Sequence, residues 1–225
     1  MSKTGKSYIQ ELIAQGENEH QDFKYQISDA MKIARSISAF ANNSGGHLLV
    51  GVKDNGNIAG ISSDEEIYMI ETAAQHYCRP EQKVEFELFR VDGKNILKAN
   101  IAEASVKPVK TLDDNGQWKA YYRVADENVL ASSLHVKVLQ HNSSVEAKVV
   151  MSYNEREKTL LDYLQNHGGI TLNGYSRLAH ISRGAAEDSV LNLCEIGIIE
   201  LQYHDNKCLI TLSDNPLDLK NDLDK

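Results

Sequence analysis

The residues with chemical potential concentrate between Gly16 and Gly60, in GENEHQDFKYQISDAMKIARSISAFANNSGGHLLVGVKDNGNIAG. Acidic residues gather at both turns of this stretch, with Lys24, Lys32, Arg35 and Lys53 close by in sequence. Clustered carboxylates suit hard divalent cations such as Mg2+ or Mn2+, which bridge to phosphate and activate water, and cations beside them suit phosphate itself. A second group, Lys107, Lys110, Lys119 and Arg123, interleaves with Tyr121 and Tyr122, the mixture a single nucleic-acid strand uses for charge and stacking. Other chemistries are absent. The eight histidines show no HExxH or other paired ligand spacing, and only His20 shares the strand face of Asp22. Cys78, Cys194 and Cys208 are odd in number and far apart, with no CxxC, so they suggest neither a zinc site nor a disulfide framework. No serine or cysteine sits in a nucleophile elbow. Thr4-Gly5-Lys6-Ser7 imitates the end of a phosphate-binding loop without the glycine and strand such a loop needs ahead of it, so no nucleotide is expected.

The elements that position these groups follow from periodicity. His20, Asp22 and Lys24 alternate with Gln21, Phe23 and Tyr25, a short strand with one polar face. Asp29 to Ala41 places Ala30, Ile33, Ala34, Ile37 and Ala41 on one side at helical spacing. Asn43, Ser44, Gly45 and Gly46 stop that helix. Leu48, Leu49, Val50 and Val52 read as a central strand covered on both faces. Asn55-Gly56 predicts a two-residue hairpin with both central residues at positive φ, the chain returning antiparallel from Ile58 to Ile61. A short helix over Ser7 to Gln15 precedes this stretch, and one opening at Ser62 to Glu66 under a hydroxyl cap follows it. Strands Val84 to Val91 and Asn95 to Ala102 meet at Asp92-Gly93, a second hairpin signal, and a strand from Trp118 to Val124 comes last. Runs of strands and helices without βα alternation make an α+β domain with a mixed sheet.

Glu17 to Lys24, SAFANNSGG, LLVGV, KDNG and IAGI, with YYRVADENVLAS closing the segment from Tyr121 to Ser132, resemble the Schlafen-type Alba-like domain. That domain is known from bacterial transcriptional regulators and animal Schlafen proteins. The resemblance implies a nucleic-acid partner, DNA or RNA. It also implies a three-carboxylate cluster, which in some animal members accompanies divalent-metal-dependent RNA cleavage. Carried over by position, the three fall on Glu17, Asp22 and Asp54, the catalytic and metal residues of a nuclease reading. The family more often has Glu where this chain has Asp22, one methylene shorter. On one regular strand Glu17 and Asp22 face opposite ways, so convergence requires Glu17 to lie in the preceding turn.

The C-terminal third reads helix, helix, helix, hairpin, which resembles a winged helix-turn-helix. Ser152 and Glu155 predict a capping box ahead of Leu160, Leu161 and Leu164. Helices over Asn173 to Ala179 and Arg183 to Ile196 follow, then strands Ile198 to Tyr203 and Lys207 to Leu212. The third helix opens on Arg183 but continues through Glu187 and Asp188, a poor charge match to a DNA backbone, so dimerisation or docking is weighed beside base reading. The expected domains are a Schlafen-type unit over 1–140, a linker over 141–150, a winged helix over 151–213 and a charged tail over 214–225.

With 225 residues and 41% hydrophobic content the chain is an ordinary globular protein, and no stretch approaches a membrane span, so a cytoplasmic location is expected. The formal charge of −8 leans against a polyanion partner. A local basic stripe can still bind one. The resulting expectation is a homodimeric nucleic-acid-binding regulator that uses Lys24, Lys32, Arg35, Lys53, Lys110, Arg123 and Arg183. The alternative is a Mg2+- or Mn2+-dependent endoribonuclease acting on structured RNA.

Overall fold

The computed structural model describes residues 5–61, 64–144, 154–205 and 207–214. The chain divides into two compact units, Met1–Ala131 and Ser132–Lys225.

The first unit opens with α1 (Gly5–Gln15), β1 (Gln21–Lys24), α2 (Ala30–Asn42) and β2 (Gly46–Val50). It continues through α3 (Glu65–His76), β3 (Cys78–Arg79), β4 (Val84–Val91) and β5 (Lys94–Ile101), and closes with β6 (Lys110–Leu112), β7 (Trp118–Val124) and β8 (Glu127–Leu130). Asp29 caps α2, its carboxylate accepting from the Met31 and Lys32 amides. One sheet has the order β1-β2-β5-β4, with β1 parallel to β2 and the remaining pairs antiparallel, which is the expected mixed sheet. A second sheet has the order β3-β6-β7-β8.

Leu48, Leu49 and Val50 of β2 are fully buried because both faces of the first sheet are covered there. Leu48 and Val50 pack with Ile33, Ala34 and Ile37 of α2 and Ile70 and Ala73 of α3. Leu49 points the other way, to Ile9 and Leu12 of α1 with Phe23 and Ile96. The same face also carries a polar cross-strand row, from Gln21, buried against α1, through His47 and Asn100 to exposed Glu85.

The two hairpin signals resolve differently. Asp92 and Gly93 have φ of 49° and 81°, the paired positive values a two-residue turn demands. At Asn55-Gly56 only Gly56 is positive, at 79°. Here Lys53 N donates to Asn57 O and Gly56 N to Lys53 O, a wider turn. The expected return strand reduces to isolated bridges, Val52 with Ile58 and Ile61 with Asn95. Gly51 O accepts from both Ala59 N and Gly60 N, which twists the returning chain out of a regular ladder. The α3 start expected at Ser62 and Ser63 lies outside the described residues, and at Asp64 no side-chain cap bond forms.

The second unit contains α4 (Ser133–Ser144), α5 (Glu155–His167), β9 (Gly169–Ile170), α6 (Leu172–Leu178), α7 (Arg183–Glu195), β10 (Ile199–His204) and β11 (Lys207–Leu212), with sheet order β10-β11-β9. Its core gathers Leu134, Leu160, Leu164, Tyr175, Val190, Leu193, Ile199 and Ile210. The capping box forms at Asn154 and Glu157, two residues beyond the expected pair, and Ser152 lies outside the described residues. Buried Glu157 also accepts from Ser189 Oγ at 2.8 Å, tying α5 to α7. Leu134 places α4 in this core. Residues 145–150 of the expected linker and 215–225 of the expected tail lie outside the described residues. Among the described residues no helix is long and apolar enough to cross a membrane.

Candidate nucleic-acid interface

The acidic groups come together through a turn ahead of β1. Gly16 takes a φ of 70°, and Asn18 and Gln21 bridge back on one another, so the chain reverses before entering β1. Glu17 is thereby folded beside that strand, where the Phe23 amide donates to its Oε1 at 2.8 Å. This is the placement strand parity required. Burial and a hydrogen bond with Asp22 raise the Glu17 carboxyl above the ordinary range, with the Phe23 amide opposing them.

Asp22 is 4% exposed and already neutralised. Lys24 Nζ lies 2.7 Å from its Oδ2, Arg123 Nη2 lies 3.6 Å from its Oδ1, and Ser36 Oγ donates to Oδ2 at 3.4 Å. Arg123 is 1% exposed. Its donors go to the carbonyls of Asn18 and Gln21 and to Asn128 Oδ1, and its guanidinium lies 5.1 Å from the Phe40 ring centroid. The expectation that Arg123 meets nucleic acid is therefore corrected, since alternation along β7 carries it under α2, where no phosphate reaches it.

A family-implied Mg2+ or Mn2+ would need several free oxygens at one point. Here Asp22 is paired with cations, and Asp54 stands exposed in the turn after β2. Among the described residues no group of three or more His, Cys, Asp or Glu side chains is placed to hold a metal ion. The root of that turn does lie against β1, since the Gly51 and Val52 amides both donate to Lys24 O. Adjacent backbones do not make the third carboxylate converge, and this donor set does not fit the metal.

The surface cations are arranged differently, by pairing with exposed or half-buried aromatic rings. Lys53 Nζ lies 5.5 Å from the ring centroid of Tyr25, which is 52% exposed. Arg35 stands 6.0 Å from the Tyr121 centroid while paired to Asp114 at 3.0 Å. Arg79 lies 5.5 Å from the centroid of Trp118, itself 42% exposed. Lys32 is exposed on α2, and Lys110 is half-buried opposite Arg79 in the β3–β6 register. Lys119 is held by Asp113 at 2.7 Å. In the second unit, Arg183 is engaged by Asn173 Oδ1 at 2.6 Å and by Glu187 at 3.4 Å, and Lys137 also pairs with Glu187. Sequence reasoning did not single out Tyr25, Arg79 and Trp118, because the cation each ring meets is remote in sequence, Lys53 for Tyr25 and Arg79 for Trp118.

Residues 17–132 match the family described as Schlafen, AlbA_2. Among solved structures, the DIP2311 protein from Corynebacterium diphtheriae is similar at 18% identity and a TM-score of 0.42, over 71% of this chain and 39% of its own. The N-terminal domain of a putative ATP-dependent DNA helicase RecG-related protein from Nitrosomonas europaea is similar at 22% identity and a TM-score of 0.42, over 68% of this chain and 99% of its own. This chain thus spans well under half the length of the first of these. No curated protein matches.

Proposed function

The chain belongs to the Schlafen AlbA_2 family, and from that premise we propose that its first unit binds single-stranded nucleic acid on a surface of cations stacked with aromatic rings. The observation that carries this reading is the set of three pairs, Lys53 with Tyr25, Arg35 with Tyr121 and Arg79 with Trp118. A cation held over a ring is oriented for phosphate while the ring keeps area for a base, and stacking contributes ~1–3 kcal/mol per base without demanding a sequence. An acidic chain can work this way because the contact is local.

The element order α5-β9-α6-α7-β10-β11 suits a winged helix-turn-helix. We read the second unit as such a module in a transcriptional regulator, serving to pair two copies of the chain. Reading of base edges by the head of α7 is less favoured, since Arg183 and Lys137 are both spent on Glu187.

The test is fluorescence anisotropy with labelled single-stranded DNA and RNA, and a duplex of the same sequence, across a range of salt concentrations. Single strands should bind in preference to duplex, with the logarithm of the affinity falling by ~0.7 per phosphate contact for each log unit of salt. Lys53→Glu with Arg79→Glu should weaken binding roughly tenfold and flatten that slope. Unchanged affinity and slope in the double variant would overturn this surface. Cleavage of RNA in Mn2+ that Asp22→Asn abolishes, with the fold intact, would favour the metal-dependent endoribonuclease instead.

A further inference from the structure

One end of the first sheet holds a cleft whose lining differs from the cation–aromatic pairs. Next to Gln21, which is buried and bonded to the last turns of α1, its cross-strand neighbours His47, Asn100 and Glu85 continue the row toward solvent. A cleft of about 550 Å³ opens there, lined by His20, His47, Lys83, Glu85 and Asn100 together with the turn at residues 44–46 and the end of β5 at Ile101 and Ala102. That volume is within the range of small-molecule sites.

The hydrogen-bonding sense of this lining can be assigned atom by atom. Gln21 Nε2 donates to the carbonyls of Leu12 and Gly16, each at 2.7 Å. Its Oε1 is therefore the atom 2.9 Å from His47 Nε2, and an amide oxygen only accepts. The His47 proton accordingly sits on Nε2, and Nδ1 carries a lone pair. Burial first, then the charge of Lys98, holds the His47 pKa down to about 4, so the neutral form persists at physiological pH. His20 Nδ1 lies 3.1 Å from Gly45 O, which assigns its proton to Nδ1 and, in the neutral ring, a lone pair to Nε2. Asn100 Nδ2 donates to Glu87 Oε1 at 2.8 Å, leaving Oδ1 as its acceptor. Glu85 adds an exposed carboxylate, and Lys83 is the single cation of the lining.

Between His47 and Asn100 acceptors thus dominate, and a phosphate placed against those two side chains would meet lone pairs. A ligand rich in donors satisfies them. A metal is disfavoured by the same absence, among the described residues, of any adequate three-ligand group.

We propose that this cleft takes an unpaired, amino-bearing nucleobase, cytosine or adenine, the exocyclic amine donating to His47 Nδ1 and Asn100 Oδ1 while Lys83 meets a neighbouring phosphate. The proposal rests on the nucleic-acid reading above and adds a base preference to it. Thymine and uracil present a carbonyl oxygen where these bases present the amine, so acceptor would face acceptor.

The test is anisotropy of the full chain with labelled oligo-dC, oligo-dA and oligo-dT of equal length at one salt concentration. The expected result is dC and dA bound roughly fivefold or more tighter than dT, the scale of one well-made hydrogen bond. His47→Phe should bring the three affinities within about twofold, because dC and dA lose an acceptor for the amine and dT loses the lone pair its carbonyl faced. Glu85→Lys, at an exposed position that tolerates exchange, should narrow the preference by exchanging an acceptor for a donor, and serves if His47→Phe does not fold. Equal binding of all three by the unaltered chain would overturn this inference and leave the binding surface standing. Absence of any binding would overturn both.

Discussion

At Asp22 the type of residue was legible in the sequence and its company was not. Alternation put Asp22 and Lys24 on one strand face, and they do pair, at 2.7 Å. That Arg123, about a hundred residues later, would complete the pairing depends on how β7 packs under α2, which no local pattern encodes. For Glu17, strand parity asked for a place in the turn before β1, and the turn at Gly16 puts it there, but its bond from the Phe23 amide was not legible. Both placements carry a stability prediction. Asp22→Ala leaves the buried Arg123 guanidinium without its carboxylate and should cost about 3 kcal/mol, while Asp22→Asn, which keeps hydrogen-bond acceptors, should cost less. Glu17→Gln should act in the opposite direction. The Glu17 carboxyl is raised in the folded chain, so its contribution is complete below the ordinary value of 4.5 and is lost as pH rises through the raised one. A glutamine avoids that loss while still accepting from the Phe23 amide. Urea midpoints should therefore favour Glu17→Gln at pH 7 and converge with the unaltered chain as pH approaches 4.5. A variant less stable at neutral pH would contradict the desolvated-acid account.

Among the elements, those with a clear period were legible, four-residue β1 included, and most of the other strands of two to four residues were not. α2 carries five apolar positions at helical spacing, and β4 with β5 alternates around a turn whose two central residues both need positive φ. β3, β8 and β9 are too short for any period to show, and they exist because neighbouring edges accept them, as β11 accepts Gly169 and Ile170. The glycines after α2 were legible as a stop signal, but the reason Gly45 tolerates no side chain is tertiary. Gly45 and Gly116 share a left-handed φ, 77° and 74°. A Cβ on Gly45 would stand 2.9 Å from Ile101 O and 3.0 Å from Glu103 N, whereas one on Gly116 meets nothing within 4 Å. Both alanine substitutions incur the left-handed penalty of ~1–2 kcal/mol. Gly45→Ala should lower the melting temperature distinctly further than Gly116→Ala, because backbone atoms cannot rotate away. Equal melting shifts would mean that the approach of the β5 end to this turn is not held tightly.

For the whole molecule the question is how a chain of net charge −8 holds a polyanion. Long-range attraction cannot do it, since the average field repels, so contact must come where cations escape neutralisation by neighbouring acids. In the first unit Lys53 is exposed and paired with a ring, and Arg79 likewise stands over Trp118. In the second unit Arg183 is paired with Glu187, which Lys137 also engages, and burial of the Glu187 carboxyl is outweighed by Lys137 first and Arg183 after it, which together hold it below the usual range. Reversing charge in the intact chain tests the two units separately without cutting it. Arg183→Glu should leave single-strand affinity within about twofold, because it removes a cation already neutralised locally. Lys53→Glu with Arg79→Glu, two cations held by rings rather than by acids, should lose roughly tenfold under the same salt, with the smaller salt slope expected when phosphate contacts are removed. A tenfold loss in Arg183→Glu, with the first-unit variant unaffected, would move the binding surface to the head of α7 and make the second unit the reader.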